Sequence, residues 1–176
     1  MPRISINAEA KGLLRSCLWF GLLLLIAALL QVTLLSEWRV MNCVPDLMLC
    51  CVVAIAFFCG THVGAVCGIA GGFLIDALGS FGISVLPVFY LFCGYVVGHY
   101  ARAMYPKRFS AYAMYASFSL LLRAAASVTL AAATYENVNL PQILLYSVLP
   151  ELLLTLLLSL LLYLPMRGIC SRWMRK

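Results

Sequence analysis

Long runs of apolar residues constrain this chain more than any other feature. Hydrophobic residues make up 65% of its 176 residues and charged residues only 10%, whereas about 25% of the residues in a soluble domain are charged. A helix needs about 20 mostly apolar residues to cross the hydrocarbon core of a bilayer. The chain has room for about six such helices and short loops. We therefore predict an all-α, polytopic membrane helix bundle that forms one integral membrane domain over residues 1–176.

The boundaries of the spans follow from the interruptions between the apolar runs. The run from Pro45 to Gly79 is too long for a single span, and Gly60, Thr61 and His62 interrupt it near its middle. We therefore divide it into two short helices. The six predicted spans cover residues 13–35, 45–60, 63–79, 83–101, 109–134 and 141–164.

The distribution of Lys and Arg supports this division, because short cytoplasmic loops collect basic residues. With six spans and both termini in the cytoplasm, ten of the twelve basic residues are cytoplasmic, while Arg39 lies in an outside loop and Arg123 lies within a span. One long helix over residues 45–79 would move the later basic clusters to the outside. Short basic clusters beside a membrane are typical of topology signals and of contacts with anionic membrane lipids. They do not form a basic domain, so we expect no nucleic-acid binding.

The sequence contains no recognisable catalytic pattern. It has no nucleophile elbow, no phosphate-binding glycine loop and no His-Glu-x-x-His motif. Its eight cysteines show no Cys-x-x-Cys spacing, and within a span a thiol behaves as a small hydrophobic group. His62 and His99 are both expected near the cytoplasmic surface, either as plain interfacial residues or as a pair of metal ligands. We predict a protein that is not an enzyme and that has neither a cofactor nor a metal site.

Glycine recurs at every fourth position in the third predicted helix, and a shorter glycine pair follows in the fourth. Residues four apart lie on nearly the same face of a helix, and a face of small residues lets another backbone approach closely. This face could receive a helix of a partner protein, or it could pack the third helix against the fourth, and both alternatives stay open. The predicted partner-helix face consists of Gly60, Gly64, Gly68, Gly72, Gly94 and Gly98.

Asp76 follows Gly72 by one helical turn, near the outer end of the third helix. A carboxylate that faces lipid costs roughly 2 to 3 kcal/mol, so Asp76 is expected to face the bundle or the outer water layer. One interpretation is structural, with hydrogen bonds from the turn at residues 79–82. The alternative is that Asp76 binds a partner or a ligand.

Arg123 and Glu151 lie within the fifth and sixth predicted helices, which a short loop joins in antiparallel directions. Each residue is about 15 Å from the outer end of its helix at ~1.5 Å per residue. Because the two opposite charges reach the same depth, we predict an intramembrane ion pair between them. A proton or ion path is the functional alternative.

Residues 44–86, together with the segment Phe-Cys-Gly-Tyr-Val-Val-Gly at residues 92–98, resemble the MreD family of rod shape-determining proteins. That family has a Pro-Asp pair at the start of its second span, matched by Pro45 and Asp46. A glycine-rich helix that ends in Gly-x-x-x-Asp follows, matched by Gly72 and Asp76. Gln31, near the end of the first span, also fits the pattern.

The resemblance implies a non-enzymatic component of the cell-elongation machinery in the bacterial inner membrane. It implies a fold similar to the substrate-binding subunits of energy-coupling-factor transporters. The implied partners are an MreC-like shape protein, an MreB-like filament reached directly or indirectly, and the peptidoglycan polymerase and transpeptidase complex. The alternative is a vitamin-binding or other small-molecule-binding subunit of such a transporter, in which Trp38, Asn42, Asp46 and Asp76 would supply ligand contacts.

Overall fold

A computed structural model describes residues 18–33, 45–79, 86–103, 108–134 and 149–174. These residues are helical except for Pro45, Asp46, Gly60 and Arg108. The six helices are α1 (Leu18–Thr33), α2 (Leu47–Cys59), α3 (Thr61–Gly79), α4 (Leu86–Ala103), α5 (Phe109–Thr134) and α6 (Leu149–Met174).

Three of these helices are long and apolar enough to cross a membrane. Their spanning segments are Thr61–Leu78, Phe109–Thr129 and Leu149–Gly168. Helices α1 and α2 are also apolar but are shorter over the residues described. The predicted all-α class is confirmed, and the chain has the character of a membrane protein.

Helix α2 occupies the centre of the bundle. Every residue from Leu47 to Phe58 is buried, and α2 contacts α3, α4, α5 and α6. This position follows from its sequence, because a helix that is hydrophobic on all sides has no face suited to water. At ~1.5 Å per residue its 13 residues extend about 20 Å, which is less than the roughly 30 Å of a hydrocarbon core.

The helices around α2 turn small, polar and aromatic side chains inward and large apolar side chains outward. On α6 the buried residues are Thr155, Ser159, Tyr163 and Met166, whereas Leu153, Leu157 and Leu161 are exposed. Aromatic rings fill the space between α2, α5 and α6, with Tyr112 lying 5.6 Å from Phe57 and 5.1 Å from Tyr163 between ring centroids. An apolar exterior around a more polar interior suits a bundle surrounded by lipid.

The predicted interruption at Gly60 is confirmed. Helix α2 ends at Cys59 and α3 begins at Thr61. Gly60 has a φ of +91°, and its N–H donates to the carbonyl of Ala56 at 2.9 Å. Only glycine adopts this backbone conformation at little cost, so the residue that divides the apolar run is the one that the turn requires.

The other predicted boundaries differ by small or moderate amounts. Residues 109–134 form a helix as predicted, and α4 covers Leu86–Ala103 where 83–101 was expected. Helix α6 continues ten residues past the predicted end at 164, to Met174, with Pro165 inside it. Basic residues such as Arg167 end an apolar span, but they are good helix formers and do not end a helix. Residues 13–17, 34–35, 83–85 and 141–148 of the predicted spans lie outside the described residues.

Candidate functional site: a polar cluster at the start of helix α2

Helix α2 begins in the interior of the bundle, where its first-turn N–H groups have no access to water. The first four N–H groups of any helix lack partners within that helix, and a buried N–H without an acceptor is costly. Here each has an acceptor. Met48 donates to Oε1 of Gln31 on α1 at 2.8 Å, and Leu49 donates to Oδ1 of Asp46 at 3.0 Å. The N–H groups of Leu47 and Cys50 donate to the carbonyls of Pro45 and Asp46.

The carboxylate of Asp46 also links α2 to two further helices. Its Oδ2 accepts a hydrogen bond from the hydroxyl of Tyr90 on α4 at 2.7 Å. The same oxygen lies 2.6 Å from Nη1 of Arg123 on α5. Nη1 in turn donates to the Tyr90 hydroxyl at 3.0 Å. The three side chains therefore form a closed triangle around a carboxylate that is only 1% exposed.

Thr155 brings α6 to the same point. Its Oγ1 accepts a hydrogen bond from the backbone N–H of Asp46 at 3.2 Å and donates to the carbonyl of Glu151 at 2.6 Å. The thiol of Cys50 donates to the carbonyl of Thr155 at 3.5 Å. We call Asp46, Tyr90, Arg123 and Thr155 the Asp46 cluster, and with Gln31 it connects all of the described helices except α3.

The contacts of the Asp46 cluster are structural, because they link helices to one another. Both carboxylate oxygens of Asp46 are already occupied, one by a helix cap and one by Tyr90 and Arg123. Removing one partner of a buried ion pair costs about 3–5 kcal/mol, because the remaining charge is left uncompensated. Loss of either partner is therefore costly, and Asp46 offers no unoccupied oxygen to a substrate.

Arg123 contacts a different carboxylate from the one that we predicted. Among the described residues, Arg123 and Asp46 form the one ion pair with nitrogen and oxygen within 4 Å. Glu151 lies near Arg123, and both line a small cleft between α5 and α6. The depth argument placed Glu151 correctly beside Arg123. It missed Asp46 because it compared only the fifth and sixth helices, whereas α2 starts beside them in the interior of the bundle.

The cleft between α5 and α6 is small, with a volume of about 10 Å³. Its lining residues are Leu120, Arg123, Ala124, Glu151 and Leu152. A space of roughly this size holds a single water molecule. Two charged side chains thus line a narrow opening whose other walls are apolar.

The glycines of α3 pack against the backbone of α4, which is one of the two alternatives left open by the sequence. A Cβ added to Gly64 would lie 2.7 Å from the carbonyl oxygen of Gly94, and one added to Gly98 would lie 2.6 Å from Cα of Thr61. Cβ atoms at Gly68 and at Gly72 would overlap the backbone of Tyr90 and of Pro87, respectively. We call this contact the glycine seam.

Because α4 already fills the glycine seam, these glycines do not present an open face to another protein in this structure. Gly60 differs from the others because it lies under the side chain of Arg102, with Nε 2.9 Å from an added Cβ. Its role is the turn between α2 and α3.

Asp76 lies on α3 one turn beyond Gly72, and both its carboxylate oxygens are buried. Neither oxygen has a hydrogen-bond partner among the described residues. We expected donors from the turn at residues 79–82, and residues 80–82 of that turn lie outside the described residues. The two aspartates of the Pro-Asp and Gly-x-x-x-Asp motifs are thus in contrasting environments, because Asp46 is fully bonded and Asp76 has no partner in the described part of the chain.

The described residues contain no group of three or more His, Cys, Asp or Glu side chains arranged to hold a metal ion. His62 and His99 are both exposed. The ring of His99 stacks on Tyr95 with centroids 6.0 Å apart and meets Tyr100 edge-on at 5.5 Å.

Tyr90 and Thr155 are the cluster residues that sequence reasoning missed. Each is an uncharged residue of a mostly apolar helix that contains other polar groups, and nothing in its sequence neighbours distinguishes it from other tyrosines and threonines. The usable signal was Asp46 itself. An aspartate directly before a wholly apolar helix is a helix cap, and a cap buried with its charge needs donors from neighbouring helices.

Comparison of the chain with protein-family models, with curated proteins and with solved structures gives no match.

Proposed function

We propose that this protein is a non-enzymatic membrane scaffold of the cell-elongation complex, similar to MreD proteins, and that it acts through contacts with other proteins within the membrane. The observation that carries this proposal is the position of Asp46. The charged residue of the Pro-Asp motif points inward, where it joins α2, α4 and α5 directly through its side chain. A motif that fixes the arrangement of helices suits a protein that acts by presenting a defined surface to other proteins.

The same observation favours a scaffold over the small-molecule-binding subunit of an energy-coupling-factor transporter. A binding subunit needs polar side chains directed toward its ligand. The charged groups at the start of α2, Asp46 and Arg123, are directed toward each other, with N and O atoms 2.6 Å apart. The transporter-subunit function therefore remains only as an outcome of the experiment below.

The proposal includes the finer topology. All six helices belong to a bundle in the bacterial inner membrane, with both termini in the cytoplasm, as the distribution of basic residues favours. The partners are an MreC-like shape protein and the peptidoglycan polymerase and transpeptidase complex, with an MreB-like filament reached directly or through them. Anionic lipids contact the basic residues at the cytoplasmic surface.

Depletion of the protein in the bacterium that encodes it tests the proposal. We expect rod-shaped cells to become round, and we expect re-expression of the wild-type chain to restore rods. The Asp46→Asn variant is expected to fail to restore them, because the helix arrangement depends on this carboxylate. The matched control is Gly21→Ala, whose added Cβ meets nothing within 4 Å, and it is expected to restore rods fully.

Purification of the tagged protein from the same cells separates the two functions. Co-purification of an MreC-like or peptidoglycan-synthesis protein supports the scaffold. Unchanged cell shape on depletion, together with co-purification of an energy-coupling transmembrane subunit, contradicts the scaffold and favours vitamin uptake.

A further inference from the structure

The cleft between α5 and α6 has hydrogen-bonding capacity that the described residues leave unused. The contacts of Arg123 with Asp46 and Tyr90 both involve Nη1, and its side chain is still 24% exposed. The carboxylate of Glu151 forms no hydrogen bond or ion pair with any described residue, although its backbone carbonyl accepts from Thr155. A donor and an acceptor therefore face the same opening.

The surroundings of the cleft are those of a membrane-facing surface. Leu121 and Leu153, each next in sequence to a leucine that lines the cleft, are 62% and 61% exposed. In the hydrocarbon region there is no water to satisfy exposed polar groups, and leaving them unsatisfied costs several kcal/mol each. The cleft is thus a small polar site within an apolar surface. At such a site, one hydrogen-bonding side chain of a second membrane helix can strengthen the association of the two helices.

The size and charge of the cleft restrict what can enter it. Its volume of about 10 Å³ suits a small group, about the size of one water molecule. A charged group gains little, because a carboxylate attracted by Arg123 is repelled by Glu151, and a cation attracted by Glu151 is repelled by Arg123. A hydroxyl fits both, since its oxygen accepts from Arg123 while its hydrogen is donated to Glu151.

We propose that the cleft receives a serine or threonine hydroxyl from a membrane-spanning helix of a partner protein. This inference rests on the proposed scaffold function, because it specifies the contact through which the scaffold holds its partner. The hydroxyl bridges Arg123 and Glu151, and the leucines on either side of the cleft pack against the partner helix.

Photocrosslinking in living cells tests the proposal. A photoreactive amino acid replaces Leu153 at the rim of the cleft, and a second preparation carries it at Val66 on the exposed side of α3. The crosslinked segments are mapped by mass spectrometry. We expect Leu153 to capture a membrane helix with a serine or threonine within one turn of the crosslinked residue, and Val66 not to capture that segment.

Variants of the cleft then test its chemistry. Ala124→Leu fills the cleft without changing a charge, and Glu151→Leu removes the acceptor, so each is expected to lower capture about fivefold, the effect of losing one or two hydrogen bonds. Glu151→Gln keeps an acceptor and is expected to retain most of the capture. Yield and monodispersity in detergent show whether each variant is folded. Should neither leucine variant fold, replacement of the captured serine or threonine by alanine is expected to cause the same fivefold loss.

Three results would overturn the proposal. These are capture of lipid alone at Leu153, capture of a helix without serine or threonine near the crosslink, and capture that is unchanged when the cleft is filled or the partner hydroxyl removed. Cells that become round on depletion while Leu153 captures no protein contradict the cleft contact alone. Cells that stay rod-shaped on depletion contradict the scaffold function itself.

Discussion

The start of helix α2 and the glycine seam hold helices together by opposite means. At the start of α2, side chains from α1, α4, α5 and α6 converge on one carboxylate and one helix end through directional hydrogen bonds. In the glycine seam, α3 and α4 approach so closely that their backbones touch where side chains are missing. Lipid provides little hydrophobic drive for helix association, so polar contacts and close packing must replace it.

The two regions are therefore sensitive to different properties. The Asp46 cluster depends on charge and on hydrogen-bonding groups, and should tolerate little change in either even when size is conserved. The glycine seam depends on volume, and should reject a single methyl group even though no charge changes. All effects below are differences in the free energy of unfolding of the purified protein, measured by titration with SDS in mixed micelles and followed by the helical circular dichroism signal.

The largest effect is expected for Asp46→Asn, which conserves size and removes the charge. It leaves the half-buried Arg123 without its ion-pair partner, and the expected loss is about 3 kcal/mol, the lower end of the cost for a buried pair. The matched control is Glu151→Gln, which makes the same chemical change at a carboxylate that forms no ion pair within 4 Å among the described residues. A loss for Asp46→Asn no greater than that for Glu151→Gln would show that the cluster does not depend on charge.

The next effect is expected for Gly68→Ala. Its added methyl group overlaps the backbone of Tyr90, and overpacking of this kind costs about 1–3 kcal/mol. Gly21→Ala is the control, since its Cβ meets nothing within 4 Å, and it is expected to be neutral or to stabilise the helix by up to about 1 kcal/mol. Equal stability of the two variants would contradict the close approach of α3 and α4.

A smaller difference is expected between two buried tyrosines that lose the same hydroxyl group. The hydroxyl of Tyr90 bonds to a carboxylate and a guanidinium, whereas that of Tyr112 donates to the neutral carbonyl of Ser159 at 3.0 Å. Hydrogen bonds to charged groups are the stronger kind, so Tyr90→Phe is expected to cost about 2 kcal/mol and Tyr112→Phe about 1 kcal/mol. The reverse order would mean that the hydroxyl of Tyr90 contributes little to the stability of the cluster.

The smallest effect is expected at Gln31, which accepts the N–H of Met48 at the start of α2. Gln31→Met conserves length and removes the acceptor, which should cost about 1 kcal/mol, as the loss of a helix cap does. Ile26→Met, at an exposed position on the same helix, is the control and is expected to change stability little. If Gln31→Met were as stable as its control, α1 would not contribute to capping α2.

Much of the fold could be predicted from the sequence because it depends on local composition. Apolar runs predict helices, and a glycine between two of them predicts the break, as Gly60 shows with its φ of +91°. Four-residue spacing predicted that the glycines share a face. It could not say what occupies that face, because the partner of a helix is decided by contacts distant in sequence, such as those of Gly68 with Tyr90.

The candidate site was less accessible for the same reason. Arg123 is 77 positions from Asp46 in the sequence, and its choice of Asp46 over Glu151 depends on where α2 starts inside the bundle. Depth along two adjacent helices was enough to bring Arg123 and Glu151 to one cleft. It was not enough to show that a third helix, capped by its own carboxylate, would begin beside them.

A double-mutant cycle at Arg123 shows which carboxylate is its ion-pair partner. Unfolding free energies are measured for Asp46→Asn, Glu151→Gln and Arg123→Gln singly, and for Arg123→Gln combined with each of the other two. Side chains in direct contact show coupling energies of about 0.5–3 kcal/mol. The contact of Asp46 with Arg123 predicts that this pair couples near the top of that range and more strongly than Glu151 with Arg123. Stronger coupling of Arg123 to Glu151 than to Asp46 would contradict the ion pair between Arg123 and Asp46.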